Sequence, residues 1–410
     1  MTDMGTPDFD GIRQRFTDEI HQARLELGTV NIAVFGNTGV GKSTLLNAVF
    51  GQDLAATGTG NSVTAHIQYH GGAPEPLGIY DTPGFETGGS EESLLSEIEH
   101  VFADNHRKPL SEQIHVVWFV ENSQTHRFVD SQATIVRKLA SFGVPVMLIL
   151  TRVRQTRTGE PASATRDLVT AINQRDLPTS PRGMVFLVNA LPDPEFGDPS
   201  HGLTQLLNAT FAAIPDQLHE ALVAAQRLDL VRKRQAAAKI VNRFALTSGA
   251  AGATPIPIAD LVLVTGSLTR MFARISAAYG IPFKKKQLAR LAAAVLVTGG
   301  ATTATSSMVL RASGKQLAKL AGAQTAKLGG RLIPVANVVV AAAAGTGSAL
   351  IAKAAGHAWS RVCEYMLKHP DTDALINDEV IGLFQRHFAE RGGPPTDAVT
   401  SETSRPLSSP

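Results

Sequence analysis

The chain has 410 residues, 38 Lys+Arg against 36 Asp+Glu, 43% hydrophobic residues and one cysteine. That length predicts two or three domains, each with its own core, and a single cysteine excludes an internal disulfide and fits a reducing compartment. The first thirty residues hold Asp3, Asp8, Asp10 and Glu19 and no apolar run, so no signal peptide is expected and the chain reads as cytoplasmic.

The net charge of +2 hides two opposed regions. Between Gln226 and His369 there are 20 basic and 3 acidic residues (Asp229, Asp260, Glu364), a formal +17, which leaves 18 basic and 33 acidic residues elsewhere, a formal −15. Such different textures predict separate domains, with the boundary in the charged stretch Leu218–Arg243. The expected division is residues 1–225, residues 226–390 and a tail over 391–410, whose composition offers nothing to bury.

In chain order, Phe9, Ile12, Phe16 and Ile20 mark an amphipathic helix. The apolar run Val30–Phe35 predicts a strand, and Gly36–Thr44 follows it as GNTGVGKST, before a helix over Leu45–Phe50. This fits the phosphate-loop pattern G-x-x-x-x-G-K-[ST] in its strand–loop–helix setting. Backbone amides of Asn37, Thr38, Gly39, Val40 and Gly41, with Lys42, Ser43 and Thr44 at the helix start, would cradle a polyphosphate. Lys42 would reach the β- and γ-phosphates, and the Ser43 hydroxyl would ligate Mg2+. The pattern predicts binding of a nucleoside triphosphate.

Further strands are expected at Pro76–Tyr80, Ile114–Val120, Val144–Leu150 and Met184–Val188, with helices over Ser90–Phe102, Ser131–Phe142 and Ala162–Gln174. Their continuous apolar character predicts an α/β domain with a doubly wound, mostly parallel sheet and ligands at the strand C-termini. Asp81-Thr82-Pro83-Gly84 follows the strand ending at Tyr80. It is either a plain turn or the place where Asp81 holds Mg2+ and the Gly84 amide senses the γ-phosphate.

These motifs resemble those of Era-like GTPases in the translation-factor-related class of P-loop proteins. The resemblance implies a GTP/GDP-binding GTPase that uses Mg2+. It implies that Thr64 completes the metal's coordination, with Thr57 and Thr59 as rivals for that role. It also casts Lys42, Thr64 and Gly84 as the groups that assist hydrolysis. Phe85 stands where some relatives place a water-orienting glutamine, which implies slow hydrolysis and activation by a second copy or a partner. Arg127 is one candidate for a supplied arginine.

The base-reading motif departs from the family. Thr151-Arg152-Val153-Arg154 stands where guanine-specific relatives have [NT]-K-x-D. Arg152 can stack on a base as lysine does, but Arg154 has no acceptor for the ring and amino hydrogens of guanine, a role left to a backbone carbonyl or Gln155. Asn189 and Ala190 fall where the family's last guanine motif lies, with the Ala190 amide toward the base oxygen.

The C-terminal region predicts an all-α, Ala/Gly-rich domain. Phe244–Thr269, Leu291–Leu310 and Leu332–Ala352 are nearly free of charge, and the last two are long enough to span a bilayer. Basic clusters flank them, among them Arg232-Lys233-Arg234 and Lys284-Lys285-Lys286. Two readings stand: a soluble bundle, or association with an anionic membrane surface or insertion into it. With Pro255-Ile256-Pro257-Ile258-Ala259-Asp260 and Tyr279-Gly280, the region resembles the C-terminal domain of unknown function of certain bacterial GTPases. The scarcity of aromatic residues here argues against nucleic acid. The whole reads as a nucleotide switch that couples through its helical domain to a membrane or protein. The alternative is a nucleotide-binding scaffold that is unselective or catalyses nothing.

Overall fold

The computed structural model describes residues 9–51, 67–82, 91–156, 158–193, 198–251, 261–281, 292, 335–369 and 378–390. The chain divides into two compact units, Arg24–Leu230 and residues 1–23 with 231–410.

The first unit is a six-stranded sheet. Its strands are β1 (Val30–Phe35), β2 (Gln68–Gly71), β3 (Leu77–Asp81), β4 (Val116–Asn122), β5 (Val146–Thr151) and β6 (Val185–Leu187), in the order β2-β3-β1-β4-β5-β6. All pairings are parallel except β2 with β3. β1 and β5 are buried along their whole length because helices cover both faces of the sheet. On one face α2 (Lys42–Phe50), α6 (Leu203–Ala213) and α7 (His219–Ala225) pack over Val34, Trp118 and Met147. There the Phe50 ring stacks on Trp118, with centroids 5.7 Å apart. On the other face α3 (Glu91–Phe102), α4 (Asp130–Ser141) and α5 (Ser163–Asn173) cover Phe35, Phe119 and Leu148.

This is the doubly wound, mostly parallel sheet that the apolar runs predict. β2 has no counterpart among the predicted strands. It is an antiparallel edge strand whose four residues are all exposed, so no alternation of apolar and polar residues marks it.

The second unit is helical, with α8 (Leu230–Ala251), α9 (Leu261–Tyr279), α10 (Val335–Lys368) and α11 (Asp378–Glu390). It also takes residues 1–23, most of helix α1 (Phe9–Leu27), which the sequence groups with the sheet. Phe16 packs edge-on against Trp359, with centroids 6.4 Å apart. The Trp359 ring lies parallel to Phe272 at 4.7 Å, and its Nε1 hydrogen is shared between Phe272 O and Ser276 Oγ. A Cβ on Gly356 would lie 2.5 Å from the Val241 side chain, so glycine there lets α10 approach α8 closely.

Polar groups fasten this core. Lys233 is wholly buried and its Nζ donates to Tyr279 O, the last carbonyl of α9, at 2.9 Å. The Tyr279 and Ser360 hydroxyls lie 2.9 Å apart. Glu364 accepts two bonds from Arg234 and one from Lys368, and the Arg234 guanidinium first among these holds its carboxyl down at about 2. Burial pushes the Cys363 thiol up to about 12, which makes it unreactive.

No helix among the described residues is long and apolar enough to cross a membrane. Of the two predicted spans, 291–310 lies outside the described residues except for 292, and residues 335–352 lie within α10. The lysines at 284–286, Asp260 and the tail 391–410 also lie outside them.

Candidate nucleotide-binding site

The site is built where β1, β3, β4, β5 and β6 end. β1 delivers the chain into Gly36, and the loop runs to Gly41, whose left-handed backbone (φ 100°) starts α2 at Lys42. A Cβ on Gly36 would lie 2.1 Å from Val120 O, so only glycine lets the loop cross the end of β4. Within the loop Thr38, Gly39 and Thr44 are exposed while Val40 is buried, which leaves the outer rim open.

Lys42 lies in the middle of this loop. Its Nζ donates to Gly36 O at 2.7 Å and to Asn37 O at 3.2 Å. Burial lowers its pKa, and the negative charges of Asp81 and Glu121 pull it part of the way back. Asp81 ends β3, and the Thr82 hydroxyl beside it donates to Val34 O at 2.9 Å, tying β3 to β1. Burial raises the Asp81 carboxyl, with Lys42 the leading counterweight. Ser43 stands half-buried in the first turn of α2.

The ends of β5 and β6 close the opposite side. The Thr151 hydroxyl bonds to Val40 O, and Arg152 reaches across the loop to donate from Nη2 to Gly39 O at 2.9 Å. Arg152 does so from a left-handed backbone (φ 53°), a conformation that costs about 1 kcal/mol or more in a non-glycine residue. Val153 N donates to Val188 O at 3.2 Å, which brings Asn189 and Ala190 beside the base-reading segment. Asn189 Nδ2 donates to Pro199 O at 3.0 Å.

Lys42, Ser43, Asp81, Thr151, Arg152, Asn189 and Ala190 therefore belong to one rim of the sheet. Thr64 and Gly84, with Thr57, Thr59 and Phe85, lie outside the described residues. Arg127 is exposed between β4 and α4.

Two acidic residues here were missed by motif reading. Glu121 is buried at the end of β4, close enough to act on Lys42, and its signal was an acid inside the apolar run VVWFVEN. Asp198 lies 3.6 Å from Arg154 and had no signal, because it follows the last motif by eight residues.

Two family models match the chain. Residues 31–152 match the family described as 50S ribosome-binding GTPase, and residues 217–387 match a domain of unknown function, DUF697. No curated protein matches the chain. Among solved structures, a probable GTP-binding protein, engB, is 20% identical over 45% of this chain and 98% of its own, with a TM-score of 0.33. An Era variant from Aquifex aeolicus bound to GDP and aluminium fluoride is 20% identical over 54% of this chain and 68% of its own, with a TM-score of 0.31. A dimerization-deficient mutant of Toc33 from Arabidopsis thaliana is 16% identical over 51% and 93%, with a TM-score of 0.31. By the two family matches, the sheet unit holds a GTP-binding P-loop GTPase domain and the chain joins it to a C-terminal domain of the DUF697 family.

Proposed function

We propose that this protein hydrolyses GTP slowly with Mg2+ and serves as a nucleotide-state switch, its helical unit engaging an anionic membrane surface or a protein partner. The observation that carries the reading is Lys42, held by two loop carbonyls at the centre of a glycine-built cradle. A half-buried ammonium among backbone groups is preorganised for phosphate charge, and such preorganisation is the main source of catalysis in phosphoryl transfer.

Roles follow from position. The loop amides and Lys42 would bind the phosphates and stabilise the charge that develops as water attacks the γ-phosphorus. Thr151, Arg152, Asn189 and Ala190 would frame the base.

The donor set fits Mg2+. Ser43 and Asp81 offer hard oxygens, and a carboxyl raised by burial gains from a nearby cation that keeps it ionised. When bound, the ion neutralises charge on the β- and γ-phosphate oxygens. Thr64 as its further ligand and the Gly84 amide as γ-phosphate sensor rest on the motif resemblance.

Slow turnover follows from Phe85, which cannot orient water by hydrogen bonding. A second copy or an activating protein would raise the rate. The +17 charge of residues 226–369 favours anionic lipid, at about 1 kcal/mol per basic residue near the surface.

Single-turnover hydrolysis by the full chain tests the enzyme reading. The rate should need Mg2+ and should vanish in Lys42→Ala. A rate unchanged by Lys42→Ala removes hydrolysis at this site and leaves a nucleotide-binding scaffold. Pelleting with vesicles that contain phosphatidylserine, against neutral vesicles, tests the membrane arm, and equal pelleting would refute it.

A further inference from the structure

We infer that Asp198 supplies the carboxylate that reads guanine in this protein, replacing the acceptor that Arg154 removes from the base motif, and that Arg154 positions it. The inference rests on the reading of the sheet unit as a GTP-binding domain.

The β6–α6 connection makes the juxtaposition. The chain leaves β6 and pairs with itself on return: Asn189 and His201 exchange both backbone hydrogen bonds, at 3.1 and 3.0 Å. Asp193 and Asp198 do the same further out, at 2.8 and 3.0 Å. The His201 ring fastens this ladder to the base segment through Nε2 to Val153 O, 2.9 Å apart. Asp198 is thereby set beside Arg154, with Oδ2 3.6 Å from Nε.

The electrostatics of the pair favour the assignment. Guanine presents two donors on its Watson–Crick edge, the ring N1–H and the amino group, and Arg154 is itself a donor. Donors facing donors need an acceptor between them. An ionised carboxylate has about four lone-pair sites, and 3.6 Å is beyond hydrogen-bond length, so the ion pair leaves Asp198 the capacity to accept from a base. The side chain of Asp198 is only 15% exposed against 58% for Arg154, so the carboxylate is the more enclosed member of the pair. A motif that lost its carboxylate at one position has one beside it, supplied from another loop.

The test is displacement of fluorescent GDP from the full chain by GTP, ITP and ATP in Mg2+. Hypoxanthine lacks the amino group, and adenine has an acceptor at N1. Wild type should prefer GTP over both. Asp198→Asn should lower the GTP:ITP and GTP:ATP preferences about tenfold or more, since a site built to bond a polar group discriminates by orders of magnitude. ATP affinity in the same variant should hold or rise, because an amide no longer repels the adenine N1 acceptor, and retained ATP binding shows the phosphate loop intact. Adding Arg154→Asp to Asp198→Asn should restore the preference by returning a carboxylate to the motif.

Preferences unchanged in Asp198→Asn would overturn the inference. If that variant misfolds, Arg154→Ala decides: a several-fold lower GTP:ITP preference supports the positioning role, and an unchanged one overturns it. A wild type displaced equally by GTP and ATP would overturn this inference and guanine selection together, while nucleotide binding itself would stand. A wild type that binds no nucleotide would instead overturn the reading of the sheet unit.

Discussion

Each unit sets a lysine against backbone carbonyl oxygen, one half-buried and one wholly buried, and the two lysines differ in surroundings. Lys42 in the sheet unit bonds to Gly36 O and Asn37 O inside a loop whose rim is open, with Asp81 and Glu121 acting on it from neighbouring strand ends. Lys233 in the helical unit is closed off from solvent and bonds to Tyr279 O, the end of α9. A cation on the last carbonyls of a helix interacts favourably with the helix dipole. On the function proposed above, the first arrangement keeps a charge available to a ligand, whereas the second joins two helices. A buried charge signals function where it faces an opening and architecture where it does not.

Removing each lysine sharpens that contrast. Lys42→Ala should weaken GDP binding about 10- to 100-fold, the loss expected for charge-assisted hydrogen bonds of about 1.5–3 kcal/mol. Urea unfolding of the sheet unit, followed by Trp118 emission, should change by less than about 1 kcal/mol, because the lysine's own desolvation penalty goes with it. Large destabilisation there would mean that Lys42 is architectural after all.

Lys233→Met, read by Trp359 emission, should destabilise the helical unit by about 1–3 kcal/mol, since Met fills the space but leaves Tyr279 O unpaired. Lys233→Ala should cost more, because a cavity is added. No change in either variant would contradict the fastening role.

A smaller effect is expected from pH. Glu364 is held near 2 in the folded unit against an ordinary 4.5, so it contributes stability that is fully present above about pH 4.5 and is lost as pH falls toward 2. Its partners Arg234 and Lys368 are about half-exposed, 44% and 54%, so solvent screening limits the contribution to about 1 kcal/mol. Acid unfolding followed by Trp359 emission should show this slope, and Glu364→Gln should flatten it. An equal slope in the variant would assign the acid sensitivity to other carboxylates.

The sheet unit was largely legible because its parts obey short-range rules. A parallel strand buried on both faces reads as an apolar run, as in VNIAVF and VMLILT. A phosphate loop carries its glycines and lysine at fixed spacing. What escaped detection depends on distant neighbours: β2, held at the sheet edge with Tyr69 as its one large apolar residue, and Asp198, brought to Arg154 by a backbone ladder.

The helical unit resisted reading for a related reason. Arg232-Lys233-Arg234 looks like one basic cluster, yet Lys233 faces the core with Ala237, Val241 and Ala245, each four residues on, while Arg234 turns to Glu364. That four-residue stripe was present in the sequence. The partner of the buried charge, a carbonyl 46 residues away, was not.

The measurement that bears most directly on the account is a fluorescent-GDP titration of the full chain in Mg2+, for wild type and Lys42→Ala. The account predicts saturable binding that GTP displaces and that Lys42→Ala weakens at least tenfold. Binding equally tight in the variant, or none in wild type, would contradict it.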